Sequence, residues 1–287
     1  MKKILVLGSN GMAGHVVTQT FIEAGYDVDN LTNTQQFNDK TVIMDLTDGA
    51  AFDEYLDKNS YDVIVNCVGI LVELSDKRKD LSSYLNSYLP HYLEYKYKDT
   101  KTKIIHMSTD CVFSGDTGPY REDSPYDGQL FYDRSKALGE IINDKDLTFR
   151  MSIIGPDMQV AGVGLFNWFY AQTGQIFGYT KSMWTGVTTI HLAKAMVAAT
   201  EQNLTGLYHL VPDKNISKYD LVSTFKEVFN RTDIEIEARE GVVADKSLLN
   251  TRSDFDFAVP SYEVMIKDMK KWVIGHKEFY PHYKIKE

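Results

Sequence analysis

A glycine-rich turn near the amino terminus restricts the fold of this chain more than any other feature. The apolar run from Lys3 to Leu7 is typical of a β-strand, and Gly8-Ser9-Asn10-Gly11-Met12-Ala13-Gly14 follows it, leading into a helical pattern. Glycines at this spacing allow a tight turn and a close approach of the backbone to a pyrophosphate. The stretch therefore predicts the start of a dinucleotide-binding unit. Its cofactor contacts are expected from Gly8, Ser9, Asn10, Gly11, Met12 and Gly14.

Strand-like and helix-like segments alternate through the first half of the chain. Further strands are predicted at about 26–31, 41–45, 62–66, 103–107 and 147–153, with helices between them. This alternation predicts an α/β fold with a Rossmann-type, doubly wound parallel sheet. Beyond Gly155 the alternation weakens. We therefore expect an NAD(P)-binding Rossmann domain at 1–155, with 186–212 returning to it, and a smaller, mainly substrate-binding lobe at 156–287.

Two further loops are expected to border the cofactor. Asp45-Leu46 lies at the end of the third predicted strand, where the adenine ring would lie, and Cys67-Val68-Gly69 follows the fourth, beneath the nicotinamide ribose. Cys67 is also interpreted more simply as a small buried apolar residue. The residue after the second strand normally selects the cofactor, because an acid there bonds the ribose of NAD. Thr32-Asn33-Thr34 contains no acid to repel a 2′-phosphate and no arginine to bind one, which slightly favours NADPH over NADH.

A second group of residues carries the expected chemistry. The fifth predicted strand ends in Ser108-Thr109-Asp110, and Tyr132 and Lys136 follow, four residues apart, on one face of a predicted helix. A tyrosine pKa of about 10 is too high for catalysis near neutral pH. A nearby ammonium group and an oxidised nicotinamide would lower that pKa. Tyr132 is predicted to protonate a carbonyl oxygen during hydride transfer, with Thr109 hydrogen-bonded to the same oxygen.

Other Tyr-x-x-x-Lys pairs show that the spacing alone proves little. They are Tyr92/Lys96, Tyr97/Lys101 and Tyr280/Lys284. The first two precede the strand that carries Thr109, and Tyr280 is followed by a proline, a poor residue within a helix. Only Tyr132 follows that strand within a sequence of helical character up to Ile142. The alternative is that Tyr132 and Lys136 are ordinary surface residues of a helix.

The composition argues against several classes of function. With 43% hydrophobic and 25% charged residues, the chain of 287 residues is typical of a globular protein. A net charge of −9 argues against binding to nucleic acid, which needs a basic surface. The two cysteines and seven scattered histidines suggest neither a disulfide framework nor a metal site. The first apolar run is too short for a signal peptide and no stretch is long enough to span a membrane, so a cytoplasmic location is expected.

With these residues in view, the chain resembles the extended short-chain dehydrogenase/reductase family. Gly8, Gly11 and Gly14 match the glycine fingerprint of that family. Ser-Thr-Asp-Cys-Val-Phe-Ser-Gly at 108–115 is similar to the Ser-Thr-Asp-Tyr-Val-Phe-Asp-Gly of the sugar-nucleotide reductase branch that includes the dTDP-4-dehydrorhamnose reductases. Tyr-x-x-x-Lys-x-x-Gly-Glu at 132–140 continues the likeness, which is strong over 1–155 and patchy after about 205.

The resemblance implies a reduction that depends on NADPH or NADH. Hydride would pass to C4 of a nucleotide-diphospho-4-keto-6-deoxyhexose, in the synthesis of a sugar for a surface polysaccharide. Thr109, Tyr132 and Lys136 would be the catalytic residues; Tyr132 donates the proton, and Lys136 tunes it and holds the nicotinamide ribose. Asp110, Lys246 and Arg252 are expected to contact the substrate. The two basic residues are candidates for the diphosphate or, alternatively, solvated surface charges.

Departures from the family pattern narrow the reaction but leave the sugar open. Cys111 stands where the similar 4,6-dehydratases carry a glutamate that helps to expel water, so dehydration is disfavoured. Met151-Ser152-Ile153-Ile154 lacks the aromatic residue that lines the sugar pocket of the rhamnose enzymes near position 153. The segment 245–249 replaces their Arg-Pro-x-x-Ser-type sequence. A different sugar or nucleotide is therefore compatible with the sequence.

Two other functions stay open on the sequence. A 4-epimerase would use the same three residues and retain NAD⁺, whereas a regulatory subunit would use the fold for binding, as in the similar regulatory subunit of methionine adenosyltransferase. The intact set of Thr109, Tyr132 and Lys136 favours an enzyme. The tyrosine-rich segment 81–97 indicates either packing between helices or a subunit interface, so a homodimer is one interpretation. The expected ligand is a nucleotide sugar, with no role for nucleic acid or a membrane.

Overall fold

A parallel β-sheet forms the centre of the computed structural model, which describes residues 1–285. In chain order the strands are β1 (Lys3–Leu7), β2 (Asp27–Thr32), β3 (Thr41–Ile43), β4 (Val63–Asn66), β5 (Lys103–Ser108), β6 (Leu147–Arg150), β7 (Ser152–Ile154), β8 (Gly174–Tyr179), β9 (Ser182–Trp184), β10 (Gly186–Thr188), β11 (Gly206–His209), β12 (Ile216–Ser217), β13 (Ile234–Arg239) and β14 (Ala244–Asp245). Seven of them form the central sheet in the order β11-β6-β5-β4-β1-β2-β3, and all its pairs are parallel.

The order of the strands reverses at β1. The chain proceeds from β1 to β2 and β3 on one side, and then returns to β4, β5, β6 and β11 on the other. Leu7 at the end of β1 accordingly pairs with Leu31 of β2 and with Asn66 of β4. In open parallel sheets, ligands bind at the carboxyl ends of the strands at this reversal. The predicted doubly wound, Rossmann-type α/β fold is confirmed.

Helices connect the strands and cover both faces of the sheet. In chain order they are α1 (Gly14–Glu23), α2 (Gly49–Lys58), α3 (Val72–Lys77), α4 (Lys79–Ser82), α5 (Leu89–Tyr97), α6 (Phe131–Leu138), α7 (Leu165–Tyr170), α8 (Thr189–Glu201), α9 (Lys218–Val228) and α10 (Tyr262–Gly275). A π-helical turn at Ser83–Tyr88 joins α4 to α5, and 3₁₀ turns lie at Asp110–Val112 and Lys277–Phe279. Within residues 1–285, no helix combines the length and the apolar character needed to cross a membrane.

The hydrophobic core lies in two layers, one on each face of the central sheet. Successive residues of a strand point to opposite faces, so Ile4 and Val6 join one layer while Leu5 and Leu7 join the other. Helices α1 and α8 contribute to the first layer, and α2 and α5 contribute to the second. Burial on both faces explains why β1 is a continuous apolar run rather than an alternating one.

Two elements near the predicted active site differ from the sequence prediction. Helix α6 ends at Leu138, not near Ile142, because the next residue, Gly139, lies against the backbone carbonyl of Asn86. A Cβ atom at Gly139 would lie 1.9 Å from that oxygen. The predicted strand at 147–153 divides at Met151: β6 stays in the central sheet, whereas β7 leaves it to pair with β10.

The chain leaves the central sheet at β7, near the start of the predicted smaller lobe. Strands β12, β9 and β14 form one small sheet, and β13 and β8 form another. The chain also returns to the main layer, since α8 packs beside α1 and β11 pairs with β6. The division into a nucleotide-binding domain at 1–155 and a substrate lobe at 156–287 remains our proposal.

Candidate active site

The predicted site residues follow three neighbouring strands at the carboxyl edge of the central sheet. Gly8 follows β1, Cys67 follows β4, and Thr109 follows β5. Because β4 lies between β1 and β5 in the sheet, the three loops are neighbours. The edge coincides with the reversal of strand order, where a ligand would bind.

The turn after β1 has a geometry that only glycine can meet at two positions. Gly8 has a φ of 84°, which side chains rarely adopt. A Cβ atom at Gly14 would lie 2.0 Å from the carbonyl oxygen of Gly8, so α1 packs closely on the turn only without a side chain there. The amide of Gly11 closes the turn by donating to the oxygen of Gly8 at 3.0 Å. The turn thus brings the amino end of α1 to the strand edge, which suits binding of an anionic group.

Side chains of the turn attach it to its surroundings. Ser9 is fully buried and donates to Asn30 of β2 at 2.9 Å. The amide group of Asn10 donates to the carbonyl of Gln35 at 2.5 Å, while its buried Oδ1 atom has no hydrogen-bond partner among residues 1–285. Met12 lies beside Asn167 of the smaller lobe, with 3.9 Å between its sulfur and the amide nitrogen. The unpaired Oδ1 atom of Asn10, next to closely packed glycines, is a hydrogen-bond acceptor compatible with a bound dinucleotide.

The loops after β3 and β4 carry the further residues for which the sequence predicts cofactor contacts. Asp45 accepts hydrogen bonds from the backbone and side chain of Thr47, and Leu46 is buried in the core layer that contains α2. A Cβ atom at Gly8 would lie 3.1 Å from Val68 and 3.3 Å from the backbone of Cys67. A Cβ atom at Gly69 would lie 4.0 Å from the ammonium nitrogen of Lys136. The loop after β4 therefore borders both the glycine-rich turn and α6.

The structure brings Thr109, Tyr132 and Lys136 together between β5 and α6. Tyr132 lies beside Thr109, whose Oγ1 atom donates to Asp110 at 3.2 Å and accepts from the amide of Cys111 at 3.1 Å. Lys136 donates from Nζ to the carbonyl oxygen of Met107 at 2.6 Å. All three side chains are buried, with exposed fractions of 8%, 9% and 6%. The interpretation of Tyr132 and Lys136 as surface residues of a helix is therefore wrong.

Burial dominates the titration of this group. It raises the pKa of Tyr132 above its usual value, while the neighbouring Thr109 hydroxyl acts in the opposite direction. The sequence predicts a lowered pKa of Tyr132 because of the Lys136 ammonium, but in the protein alone that ammonium bonds to the Met107 carbonyl. Burial also lowers the pKa of Lys136 to about 8, and Glu140 opposes this shift. Tyr132 is consequently a protonated phenol near neutral pH, which is the state a proton donor requires.

Asn86 is a residue of the site region that the sequence argument missed. It lies in the π-helical turn, and its Oδ1 atom accepts from the amide of Ile70, in the loop after β4, at 2.8 Å. Its amide nitrogen donates to Ser135, between Tyr132 and Lys136, at 3.1 Å. Asn86 therefore connects α6 to the loop that borders the glycine-rich turn. A polar residue within a helix was the only signal, and it did not reveal these partners.

The three predicted substrate contacts lie in different places. Asp110 is buried, and burial raises the pKa of its carboxyl group whereas the charge of Lys246 lowers it. The aliphatic part of Lys246 would lie 3.0 Å from a Cβ atom at Gly115, so Lys246 belongs to the neighbourhood of Thr109. Arg252 lies at the opposite edge, where its guanidinium bonds the carbonyls of Thr205 and Leu207 at 2.7 and 2.8 Å. These bonds and the pair with Asp254 argue against the predicted diphosphate contact of Arg252.

The two cysteines are thiols in this environment. Burial raises the pKa values of Cys67 and Cys111 to about 12. Neither side chain is therefore a thiolate near neutral pH. Cys111 in particular lacks the basic group that the glutamate at this position gives the similar dehydratases.

The chain matches one family model over most of its length. The model of the RmlD substrate binding domain matches residues 1–247. The chain is 31% identical to the spore coat polysaccharide biosynthesis protein SpsK of Bacillus subtilis over 142 residues, 49% of this chain and 47% of that protein, so it spans about half the length of this relative. It is 26% identical over 254 residues to the probable low-salt glycan biosynthesis reductase Agl14 of Haloferax volcanii, with 84% of each chain covered.

Solved structures share the fold at low identity. A dTDP-4-dehydrorhamnose reductase from Bacillus anthracis in complex with NADP has a TM-score of 0.78 and 18% identity, covering 93% of this chain and 98% of its own. A hypothetical dTDP-4-dehydrorhamnose reductase from Sulfolobus tokodaii has a TM-score of 0.76 and 23% identity, covering 91% and 98%. At these identities the likeness is one of fold alone.

Proposed function

Because the chain belongs to the RmlD substrate binding domain family, within the extended short-chain dehydrogenases/reductases, we propose that it is an NAD(P)H-dependent reductase of a nucleotide sugar. One observation carries the proposal: Thr109, Tyr132 and Lys136 are buried together beside the glycine-rich turn, and burial keeps the phenol of Tyr132 protonated. A protonated donor next to a hydride donor is what the reduction of a ketone to an alcohol requires.

Each of the three residues has a distinct role in the proposed reaction. A bound reduced nicotinamide would supply the hydride that the carbonyl carbon accepts. Tyr132 donates its hydroxyl proton to the carbonyl oxygen, which becomes the hydroxyl group of the product. Thr109 orients the same oxygen by a hydrogen bond. Lys136 bonds the nicotinamide ribose and, as an ammonium group, stabilises the phenolate that Tyr132 becomes.

The proposed substrate is a nucleotide-diphospho-4-keto-6-deoxyhexose that leads to a surface polysaccharide. Support comes from the names of two relatives, one in spore coat polysaccharide biosynthesis and one described as a glycan biosynthesis reductase. Lys246 is the remaining candidate for the diphosphate, because its ammonium acts on the buried carboxyl group of Asp110 in the same neighbourhood. The thiol state of Cys111 supports reduction over dehydration.

The proposed cofactor is NADPH, with NADH as the alternative. The segment Thr32-Asn33-Thr34 after β2 carries no carboxylate to repel a 2′-phosphate. The B. anthracis enzyme of the same fold was solved with NADP. The location that we propose is the cytoplasm, where NADPH and nucleotide sugars would both be available.

The test follows the absorbance of the reduced nicotinamide. The protein is mixed with NADPH or NADH and a panel of nucleotide-diphospho-4-keto-6-deoxyhexoses, and we expect oxidation with at least one sugar. Tyr132→Phe should lower kcat about 10²- to 10⁴-fold, the range for general acid catalysis. Tyr92→Phe is the matched control, because Tyr92 and Lys96 form the same spacing but bond Asp53 away from the site.

One other outcome would contradict the role of Tyr132, and two would contradict the reductase. Unchanged turnover in Tyr132→Phe would mean that another group donates the proton. Tightly retained NAD⁺ without net oxidation would favour a 4-epimerase. Dinucleotide binding with no turnover of any sugar would favour a regulatory subunit.

A further inference from the structure

The segment after α10 returns to the glycine-rich turn at the other end of the chain. Tyr280 is buried, with 2% of its surface exposed, and its hydroxyl lies 2.6 Å from Nε2 of His15 in α1. His15 is fully buried, and its Nδ1 atom lies 2.8 Å from the carbonyl oxygen of Gly11. A chain of polar contacts therefore runs from the carboxyl-terminal segment to the turn.

Trp272 determines the direction of each hydrogen bond in this series of contacts. The indole nitrogen of Trp272 lies 2.9 Å from the Tyr280 oxygen and can only donate. The Tyr280 hydroxyl is then free to donate to Nε2 of His15, which leaves the proton of the neutral imidazole on Nδ1. Nδ1–H donates in turn to the oxygen of Gly11. Burial lowers the pKa of His15 to about 4, so the ring is neutral near pH 7 and this arrangement is consistent.

The hydrogen bond from Nδ1 of His15 to the Gly11 oxygen orients the peptide group between Gly11 and Met12. The carbonyl of Gly11 and the amide of Met12 belong to the same planar trans peptide, so they point in opposite directions. Holding the carbonyl towards His15 keeps the Met12 amide turned away from α1. Backbone amides of such a turn are the groups that bind a pyrophosphate. The backbone amide of His15 also donates to the Gly11 oxygen, at 3.2 Å. The imidazole therefore reinforces the orientation of a donor that the cofactor would use.

Two more contacts join the carboxyl-terminal segment to the surroundings of the turn. Phe279 packs against Phe37, in the loop after β2, with 5.4 Å between ring centroids. The Tyr283 hydroxyl accepts from the amide of Asp157 at 3.0 Å and donates to Asn167, the residue beside Met12. The segment thus contacts three different parts of the chain around the predicted dinucleotide site.

We infer that Tyr280 and His15 are positioning residues for the dinucleotide: through Trp272, Tyr280 and His15, the carboxyl-terminal segment orients the peptide after Gly11 for the pyrophosphate. The inference rests on the proposed function, since it assumes that the turn binds a nicotinamide dinucleotide. Neither residue reaches the reacting atoms, so the effect belongs to cofactor affinity and not to the chemical step.

Titration of the protein with NADPH and with NADH, followed by nicotinamide fluorescence, tests the inference. Tyr280→Phe keeps the ring but leaves Nε2 of His15 and the indole N–H of Trp272 without their partner. We expect its Kd to rise about five- to tenfold, as for the loss of one buried hydrogen bond, with kcat at saturating cofactor within twofold of the wild type. Tyr208→Phe is the matched control: Tyr208 is buried and bonds Asn250 at 2.6 Å, in the edge strand β11.

A second variant keeps the test independent of stability. His15→Leu removes both bonds of the ring, and its Kd should rise at least as much as that of Tyr280→Phe. The double variant should bind no more weakly than His15→Leu alone, because both residues act through the same peptide. A merely structural role of Tyr280 would instead give an equal loss of affinity in Tyr208→Phe, which also removes a buried, hydrogen-bonded hydroxyl.

The outcomes separate this inference from the proposed function. A wild-type protein that binds neither NADPH nor NADH would overturn the proposed function. A wild-type protein that binds one of them, with an unchanged Kd in Tyr280→Phe or an equal change in Tyr208→Phe, would overturn the inference and leave the reductase intact. A raised Kd confined to the Tyr280 and His15 variants supports it.

Discussion

Lys136 is a charged side chain in a buried environment, which disfavours charge. Its ammonium is buried and donates to the carbonyl of Met107, and burial lowers its pKa to about 8 while Glu140 opposes the shift. Lys96, in the other Tyr-x-x-x-Lys pair, is bonded to both Asp53 and Asp57, and its pKa is raised. The two lysines show that equal spacing in sequence gives opposite electrostatic surroundings. The electrostatic cost at Lys136 is typical of a residue kept for function.

The difference between the pKa of Lys136 in the folded and the unfolded protein predicts that stability depends on pH. Below pH 8 Lys136 is protonated in both the folded and the unfolded protein, whereas between pH 8 and 10.5 the unfolded chain holds more protons. The free energy of unfolding of the wild type should therefore rise relative to Lys136→Met across that window, by about 1.4 kcal/mol for each pH unit. Urea unfolding of both proteins without cofactor measures this difference. Lys96→Met is the control, since its comparison with the wild type should show no such rise; a flat Lys136→Met difference would refute the prediction.

Helix α6 is anchored by Glu140, the second residue beyond its early end. The Glu140 side chain turns inward, and its carboxylate accepts from Arg150 of β6 at 2.8 Å and from Ser108 of β5 at 2.5 Å. Arg150 is fully buried and also contacts His209 of β11 at 2.9 Å. Tyr126, in the loop over this edge of the sheet, donates to the same carboxylate at 2.7 Å. One buried ion pair thus joins α6 to three adjacent strands and a loop.

Removal of one partner from this ion pair should be strongly destabilising. Glu140→Gln leaves the guanidinium of Arg150 buried without a full counter-charge, and we expect a loss of about 3–5 kcal/mol in the free energy of unfolding. Glu263→Gln is the matched control, because its pair with Lys267 is exposed on α10 and its loss should change the free energy of unfolding little. Chemical denaturation compares the two variants with the wild type. Equal losses in both would show that the buried pair does not hold the elements together.

Buried histidines are distributed over the whole molecule. His15 lies in α1, His191 at the start of α8, and His209 in β11, and burial lowers the pKa of each to about 4. In the unfolded chain each would titrate near 6.5. Between these values the unfolded state binds more protons than the folded state, so folding is disfavoured as the pH falls.

The free energy of unfolding should therefore decrease steadily as the pH is lowered from about 6.5 to about 4. The stabilising effect of the neutral histidines is fully present above pH 6.5 and is lost as the pH approaches 4. Urea unfolding at intervals between pH 7 and 4.5 measures the slope. His191→Gln should give a shallower slope, because it removes one of the titrating groups. A slope that is unchanged in this variant would contradict the assignment.

Residue patterns over short stretches of sequence predicted much of the candidate site. The turn at Gly8, Gly11 and Gly14 and the pair Tyr132/Lys136 depend on contacts within a few residues. At Gly14, for example, a Cβ atom would lie 2.0 Å from the oxygen of Gly8. The order of the strands then brought Thr109 to the same edge. The cofactor, the sugar and the roles of these residues remain predictions from that pattern and from the family.

What the sequence by itself determined was the doubly wound α/β fold, because hydrophobic periodicity and glycine turns are local properties of the chain. Only the tertiary structure decided the partners of Arg252, the inward turn of Glu140 and the link between His15 and Tyr280. These contacts depend on side chains that meet across the folded molecule; His15 and Tyr280 are 265 residues apart. Local pattern holds no information about such pairs, since their positions depend on the packing of every element between them.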